Sequence, residues 1–285
     1  MSDPRRIWLI ANASSGSNDE EAVTLLEETC GHAGFHVAYR THFPRYDLPT
    51  PAMLAAAEID LVAIFAGDGT LNATILHLAG WDGAVLVLPG GTMNLLYHRL
   101  HGSRDMGEVI RAAAAGETSL ARPTIVRGTQ GSALAGLMAG PGTSWSHVRE
   151  AMRESSIIGM AEHTIGALEQ TLGGAMIACA EPALGRREGY PLVLLDPTDD
   201  GIQVVAYHAD TASQYLEQSL ALLKRDFREG PHDRLGLTQR IVLESTDGQP
   251  FGVLVDGEPA EPDGNRAEFV LARCEVDLLA TQTDG

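Results

Sequence analysis

The chain has 285 residues, enough for two domains of ordinary size with substantial cores, and its 44% hydrophobic content excludes a disordered polypeptide. A formal net charge of −18 sets the average surface against nucleic-acid backbones and strongly anionic lipid, with Arg186-Arg187 and Lys224-Arg225 as local basic exceptions. No apolar run approaches the roughly 20 residues of a membrane span, and Met1-Ser2-Asp3-Pro4-Arg5-Arg6 leads straight into a strand rather than a signal peptide, so a soluble, cytoplasmic protein is expected.

Arg5 to Ala11 reads as the first strand. It ends in the small polar cluster Asn12-Ala13-Ser14-Ser15-Gly16-Ser17-Asn18 before an acidic helix start at Asp19-Glu20-Glu21. Val23, Leu25 and Leu26 give that helix an apolar face, and Phe35 to Thr41 forms the second strand. A short helix around Leu54 to Glu58 precedes the third strand, Leu61-Val62-Ala63-Ile64-Phe65, whose apolar run implies burial on both faces. Gly67-Asp68-Gly69 then breaks the strand before a helix over Thr70 to Leu78. Twenty residues on, the strand Ala84 to Leu88 is followed by Pro89-Gly90-Gly91-Thr92-Met93-Asn94 and a helix from Asn94 to Leu100. Asp105-Met106-Gly107-Glu108 caps a further helix that runs to Ala115. Alternation of strand and helix over the first 115 residues predicts an α/β, doubly wound parallel sheet.

From about Thr118 the pattern changes to strands separated by turns: Ala121 to Val126, Ala175 to Ala180, Leu192 to Leu195, Ile202 to Tyr207, Arg240 to Ser245, Gly252 to Val255 and Ala267 to Leu271. Asp199-Asp200-Gly201 and Asp247-Gly248 carry hairpin chemistry, so a mainly antiparallel β domain is expected. Helical pieces at 144–155, 163–172 and 212–227 interrupt it. Cys30, Cys179 and Cys274 lack metal-ligand spacing and read as buried free thiols.

The glycine turns suggest chemistry. A strand that delivers a Gly-Asp-Gly turn to a helix start lets backbone approach a ligand, offers N–H groups to an anion and sets a carboxylate beside them, which suits a phosphate with a metal ion. Two such junctions on neighbouring parallel strands open at the same carboxyl edge, where open α/β sheets bind ligands. Asp68 is equally suited to capping a helix, as is Thr92, and Asp256-Gly257 reads on local chemistry as a hairpin turn.

Taken together and in order, Asn-x-x-Ser-Gly from Asn12, Gly67-Asp68-Gly69-Thr70-Leu71-Asn72, Pro89-Gly90-Gly91-Thr92-x-Asn94, Asp199-Asp200-Gly201, Gly230-Pro231-His232 and Asp256-Gly257-Glu258-Pro259 resemble the diacylglycerol kinase catalytic family, which includes bacterial soluble lipid kinases and the sphingosine and ceramide kinases. The resemblance implies an α/β nucleotide-binding domain similar to those of NAD kinases and phosphofructokinases over residues 1–120. A β-sandwich lipid-binding and catalytic domain over 121–285 follows, with ATP in the cleft between them and the last ten or so residues able to return to the first domain. It implies ATP and Mg²⁺ as cofactors, a membrane lipid substrate met in transient membrane contact, a place in lipid metabolism, and no nucleic-acid partner. It leaves a homodimer open.

Carried over residue by residue, the resemblance places Asn12, Ser15 and Gly16 on the first phosphate turn and Thr41 on the nucleotide-contacting end of the second strand. Gly67, Asp68, Gly69, Thr70 and Leu71 fall on the triphosphate loop, and Thr92 and Asn94 on the nucleotide-contacting third motif. Asp68 acquires a catalytic role linked indirectly to metal, and Asp233 is the candidate magnesium position. Asp256 and Glu258 fall on the acidic pair that carries the catalytic base, and spacing does not decide between them. The chain departs from the family where Ala66 replaces a glycine, Ala73 a glutamate, and Leu95 an aspartate. A non-catalytic binding protein and an NAD-kinase-like enzyme are the competing readings.

Overall fold

The computed structural model describes residues 4–12, 20–91, 94–129, 131–140, 176–207, 232–260 and 264–282. The helices expected at 144–155, 163–172 and 212–227 lie outside them. The chain divides into two compact units, Met1–Pro123 with Arg273–Gly285, and Thr124–Ala272.

In unit 1 the apolar runs become strands β1 (Arg5–Ala11), β2 (Phe35–His42), β3 (Leu61–Ala66) and β4 (Ala84–Pro89), with helices α1 (Glu20–Ala33), α2 (Pro51–Ala56) and α3 (Asp68–His77) between them. Two short strands, β5 (Ser119–Ala121) and β17 (Asp277–Ala280), complete the sheet. Its order is β2-β1-β3-β4-β17-β5, and it is parallel except at β5, which runs against β17. All six residues of β3 are buried, as a parallel strand covered on both faces requires. From β1 the chain moves one way to β2, and from β3 the opposite way to β4. Right-handed crossovers therefore set α1 on one face and α3 on the other.

Two further helices follow β4: α4 (Leu95–His101) and α5 (Met106–Ala115). The capping box expected at α5 is present, Asp105 Oδ1 accepting from Glu108 N and Glu108 Oε2 from Asp105 N. The end of α4 is tied to the chain leaving β17: Thr281 N and Gln282 N both donate to Leu100 O at 3.1 Å, and His101 Nδ1 lies 3.2 Å from Thr281 Oγ1. His101 is 1% exposed, and its Nε2 has no hydrogen-bond partner among the described residues. Burial, opposed by the backbone at Val87 and assisted by the nearby Arg104 guanidinium, pushes its pKa down to about 4.

One strand expectation fails at the junction of the units. The run Ala121 to Val126 is not one strand but two, β5 in unit 1 and β6 (Thr124–Gly128) in unit 2. Pro123, which has no N–H to give a ladder, separates them.

Unit 2 holds two sheets around one core. The first is built from β8 (Leu137–Gly140), β10 (Leu192–Thr198), β11 (Gly201–Tyr207), β12 (His232–Thr238), β14 (Gly252–Val255) and β15 (Glu258–Ala260), in the order β12-β11-β10-β8-β14-β15. The second joins β6 to β7 (Gly131–Ala133), β9 (Ile177–Glu181), β13 (Arg240–Ser245) and β16 (Arg266–Arg273), in the order β7-β6-β16-β13-β9. Asp199-Asp200 forms the β10–β11 turn. Leu137, Val193, Val204 and Val253 of the first sheet pack against Val126, Leu243 and Phe269 of the second. The first sheet is apolar on its other face as well, where Leu254, Met138, Leu194 and Val205 lie in register across four strands. Cys30, Cys179 and Cys274 are buried free thiols, and burial raises the first two to about 11 and about 12. No helix among the described residues is long and apolar enough to cross a membrane.

Candidate active site

At the carboxyl edge of unit 1, β3 ends at Ala66 and α3 begins at Asp68, so Gly67 alone makes the turn. Gly67 is an extended N-cap without a side chain to offer, and the first helical hydrogen bond is Leu71 N to Gly67 O at 3.0 Å. The N–H groups of Asp68, Gly69 and Thr70 precede it, pointing as the first-turn donors of any helix do, toward the space beyond the helix end.

The second glycine turn touches the first. Gly90 N donates to Ala66 O at 3.2 Å, and a Cβ on Gly91 would stand 2.6 Å from Gly67 Cα, closer than any side chain can come. Glycine is required at 91 because backbone fills the place of its side chain. Asn94, in the left-handed region at φ 52°, closes this turn with a reciprocal pair: Gly91 N donates to its Oδ1 and its Nδ2 donates to Gly91 O, both at 2.8 Å. Asn tolerates that backbone conformation better than most residues.

Asp68 bridges the two turns. Its Oδ1 accepts from Leu96 N, in the first turn of α4, at 3.4 Å. The capping role open to this residue is thus present, but it serves the neighbouring helix. Asn12, just past β1, donates from Nδ2 to Thr70 Oγ1 at 2.8 Å. The residues Asn12, Gly67, Asp68, Thr70 and Asn94, scattered through the sequence, are therefore held in one hydrogen-bonded edge. Leu71 is fully buried, so its side chain supports this edge from the core. Thr41 is 5% exposed, and its Oγ1 accepts from Trp8 Nε1 at 2.9 Å, a partner that sequence reasoning does not find. Ser15, Gly16 and Thr92 lie outside the described residues.

In unit 2, Asp256-Gly257 is the two-residue turn of the β14–β15 hairpin, with Val255 paired to Glu258. Both turn residues have positive φ, 49° and 85°, the conformation of a type I′ turn and the reason for Asp-Gly. The Asp256 side chain is 5% exposed and faces inward. Its Oδ2 accepts from Leu134 N at 2.8 Å, and its Oδ1 from Ala135 N at 2.8 Å and Gly136 N at 3.0 Å, while its own N–H donates to Gly136 O. This carboxylate fastens the hairpin to the loop between β7 and β8. Glu258, two residues on, is exposed. Asp233 sits half-buried on β12 opposite Ala206. Among the described residues, no group of three or more His, Cys, Asp or Glu is arranged to hold a metal ion.

Known proteins share this architecture. A family model described as the diacylglycerol kinase catalytic domain matches residues 6–123. Among solved structures, a diacylglycerol kinase from Bacillus anthracis strain Sterne is similar at a TM-score of 0.61 with 16% identity, covering 97% of each chain. A second structure from that organism, carrying diacylglycerol kinase as a provisional name, has a TM-score of 0.60 and 15% identity over 98% of each chain. At such identities these likenesses show a shared fold. No curated protein matches the sequence. The matched stretch contains Asn12, both glycine turns and the Asp68 bridge, and it is over this stretch that the chain is similar to the diacylglycerol kinase catalytic family.

Proposed function

We propose that this protein is an ATP- and magnesium-dependent lipid kinase that transfers the γ-phosphate of ATP to a hydroxyl of a diacylglycerol- or sphingoid-like lipid. The observation that carries the reading is the contact of Gly67 with Gly91 beside an α3 N-terminus that has no side-chain cap. A phosphate is bound by backbone N–H donors with nothing bulky in front of them, and this edge supplies both conditions. It also lies where the sheet order reverses between β1 and β3, the usual ligand position in an open α/β sheet.

In this reading Asn12, Ser15, Gly16, Gly67, Asp68, Gly69, Thr70, Thr92 and Asn94 surround the phosphates, with Leu71 behind them and Thr41 toward the nucleoside. Magnesium supplies charge neutralisation for the transferred group. The described donor set suits a cation that arrives on the nucleotide rather than a resident one, with Asp68 acting through water and Asp233 as a further carboxylate. Phosphoryl transfer then depends on positioning and on a base for the acceptor proton. The exposure of Glu258 supports it as the proton acceptor, and the three amide bonds of Asp256 support that residue as the one that positions the hairpin. Contact with the membrane is transient and the protein cytoplasmic.

Ala73, exposed on α3 where the family carries glutamate, favours one second reading, a nucleotide-binding protein without transferase activity. Transfer of labelled γ-phosphate from ATP with magnesium to a panel of mixed-micelle lipids, with NAD as soluble control, separates them. A labelled lipid is expected. Label on NAD alone, or ATP binding without any product, would overturn the proposal.

A further inference from the structure

We propose that Tyr39, backed by Trp8, is the stacking platform for the base of the nucleotide bound by unit 1; the inference rests on the reading that unit 1 binds a nucleotide. The directions of the β2 side chains place it. Arg40 and His42 on β2 both reach α1, Arg40 Nε donating to Glu27 Oε1 at 2.8 Å and His42 Nε2 lying 3.9 Å from Glu20 Oε1. Side chains alternate along a strand, so Tyr39 and Thr41 point to the opposite face, the one that carries α3. Trp8 joins them there: the pairing of β1 with β2 shifts register between Ile7 and Trp8, which brings Trp8 opposite Tyr39.

The two rings stack, with centroids 4.5 Å apart and planes 19° from parallel, and the indole N–H is fixed on Thr41 Oγ1 at 2.9 Å. Trp8 is 8% exposed but Tyr39 is 41% exposed. A large aromatic on an edge strand, held rigid on one side and open to solvent on the other, gives a base a π-surface whose ordering cost is already met by the fold. The distances suit a nucleotide. The Gly67 turn lies beyond β3, and β2 is two strands away, about 10 Å at the ordinary strand spacing. Phosphates at the turn and a ribose near Thr41 place the base over β2. Tyr39 stands two residues before Thr41 on the same face, within reach of it.

The experiment is calorimetric titration of the full chain with ATP and, separately, with inorganic tripolyphosphate, using wild type, Tyr39→Ala, Tyr39→Phe and Tyr46→Ala. Tyr39→Ala is expected to weaken ATP about tenfold or more and leave tripolyphosphate unchanged, because stacking acts on the base alone. Tyr39→Phe, which keeps the ring, retains wild-type ATP affinity. Equal weakening of both ligands by Tyr39→Ala would assign the residue to the fold and overturn the proposal. So would unchanged ATP affinity, or a loss confined to Tyr46→Ala, the other exposed tyrosine of this region. Wild type that binds tripolyphosphate but not ATP would overturn the platform while sparing the phosphate edge; wild type that binds neither would overturn both.

Discussion

Replacing His101 with glutamine tests the packing of α4 on the chain beyond β17. The imidazole in the folded protein titrates near 4, against 6.5 for an ordinary histidine, because burial disfavours its charged form. Between those values the unfolded chain holds a proton that the folded chain does not. Stability from this site is therefore fully present above pH 6.5, falls as the pH drops through 6.5, and levels off near pH 4. The linkage integral gives a loss of about 2 kcal/mol by pH 5 and about 3 kcal/mol in the acid limit, at roughly 1.36 kcal/mol per pH unit for one proton. Urea denaturation of wild type and His101→Gln at pH 8, 7, 6 and 5 measures it. The wild type should lose stability faster than the variant below pH 6.5, by close to one proton. Parallel pH curves for the two proteins would refute the burial argument, even if the variant is less stable throughout.

Four other perturbations follow from the site. Gly91→Ala puts a methyl against Gly67 Cα, so it should cost about 1–3 kcal/mol in unfolding measurements and weaken tripolyphosphate binding, whereas a silent substitution would deny the contact between the two turns. Asp256→Asn sets an amide nitrogen against either Leu134 N–H or the pair from Ala135 and Gly136, so a loss of about 1–3 kcal/mol in stability is expected, while Glu258→Gln should keep wild-type stability and lower kcat by about 10²–10⁴. Exchange of those two phenotypes would reverse the assigned roles. Ala73→Glu, on an exposed helical position, should change stability by less than about 0.5 kcal/mol and raise the rate of lipid phosphorylation; an unaltered rate would mean that the family's acid is not needed here.

The parallel strands of unit 1 are legible in the sequence because burial on both faces leaves an unbroken apolar run such as Leu61 to Ala66. The second glycine turn is legible because backbone fills the place of a side chain at Gly91. The antiparallel unit hides more. β12 mixes His232, Asp233, Arg234 and Gly236 with two leucines, an edge-strand pattern that alternation does not mark, and β15 is three residues long. Asp256 reads both as a turn residue and as an acid of the motif. Its bonds to Leu134, Ala135 and Gly136 depend on chain more than a hundred residues away and leave no local signal. The Trp8–Tyr39 stack is equally invisible, since it depends on a register shift set by the pairing of β1 with β2.

The place of β17 between β4 and β5 has a consequence in time. Strand β4 is complete at Pro89, yet its second neighbour is not synthesised until Asp277–Ala280. At ordinary elongation rates the open flank of β4 waits on the order of 10–40 s on the ribosome. Unit 2 can fold during that interval, since its strands pair among themselves, but the sheet carrying the phosphate edge closes last. A nascent chain paused before residue 277 therefore exposes the apolar strand edge from Val85 to Leu88 rather than a finished unit 1 sheet, and such chains are the ones expected to need a holding chaperone.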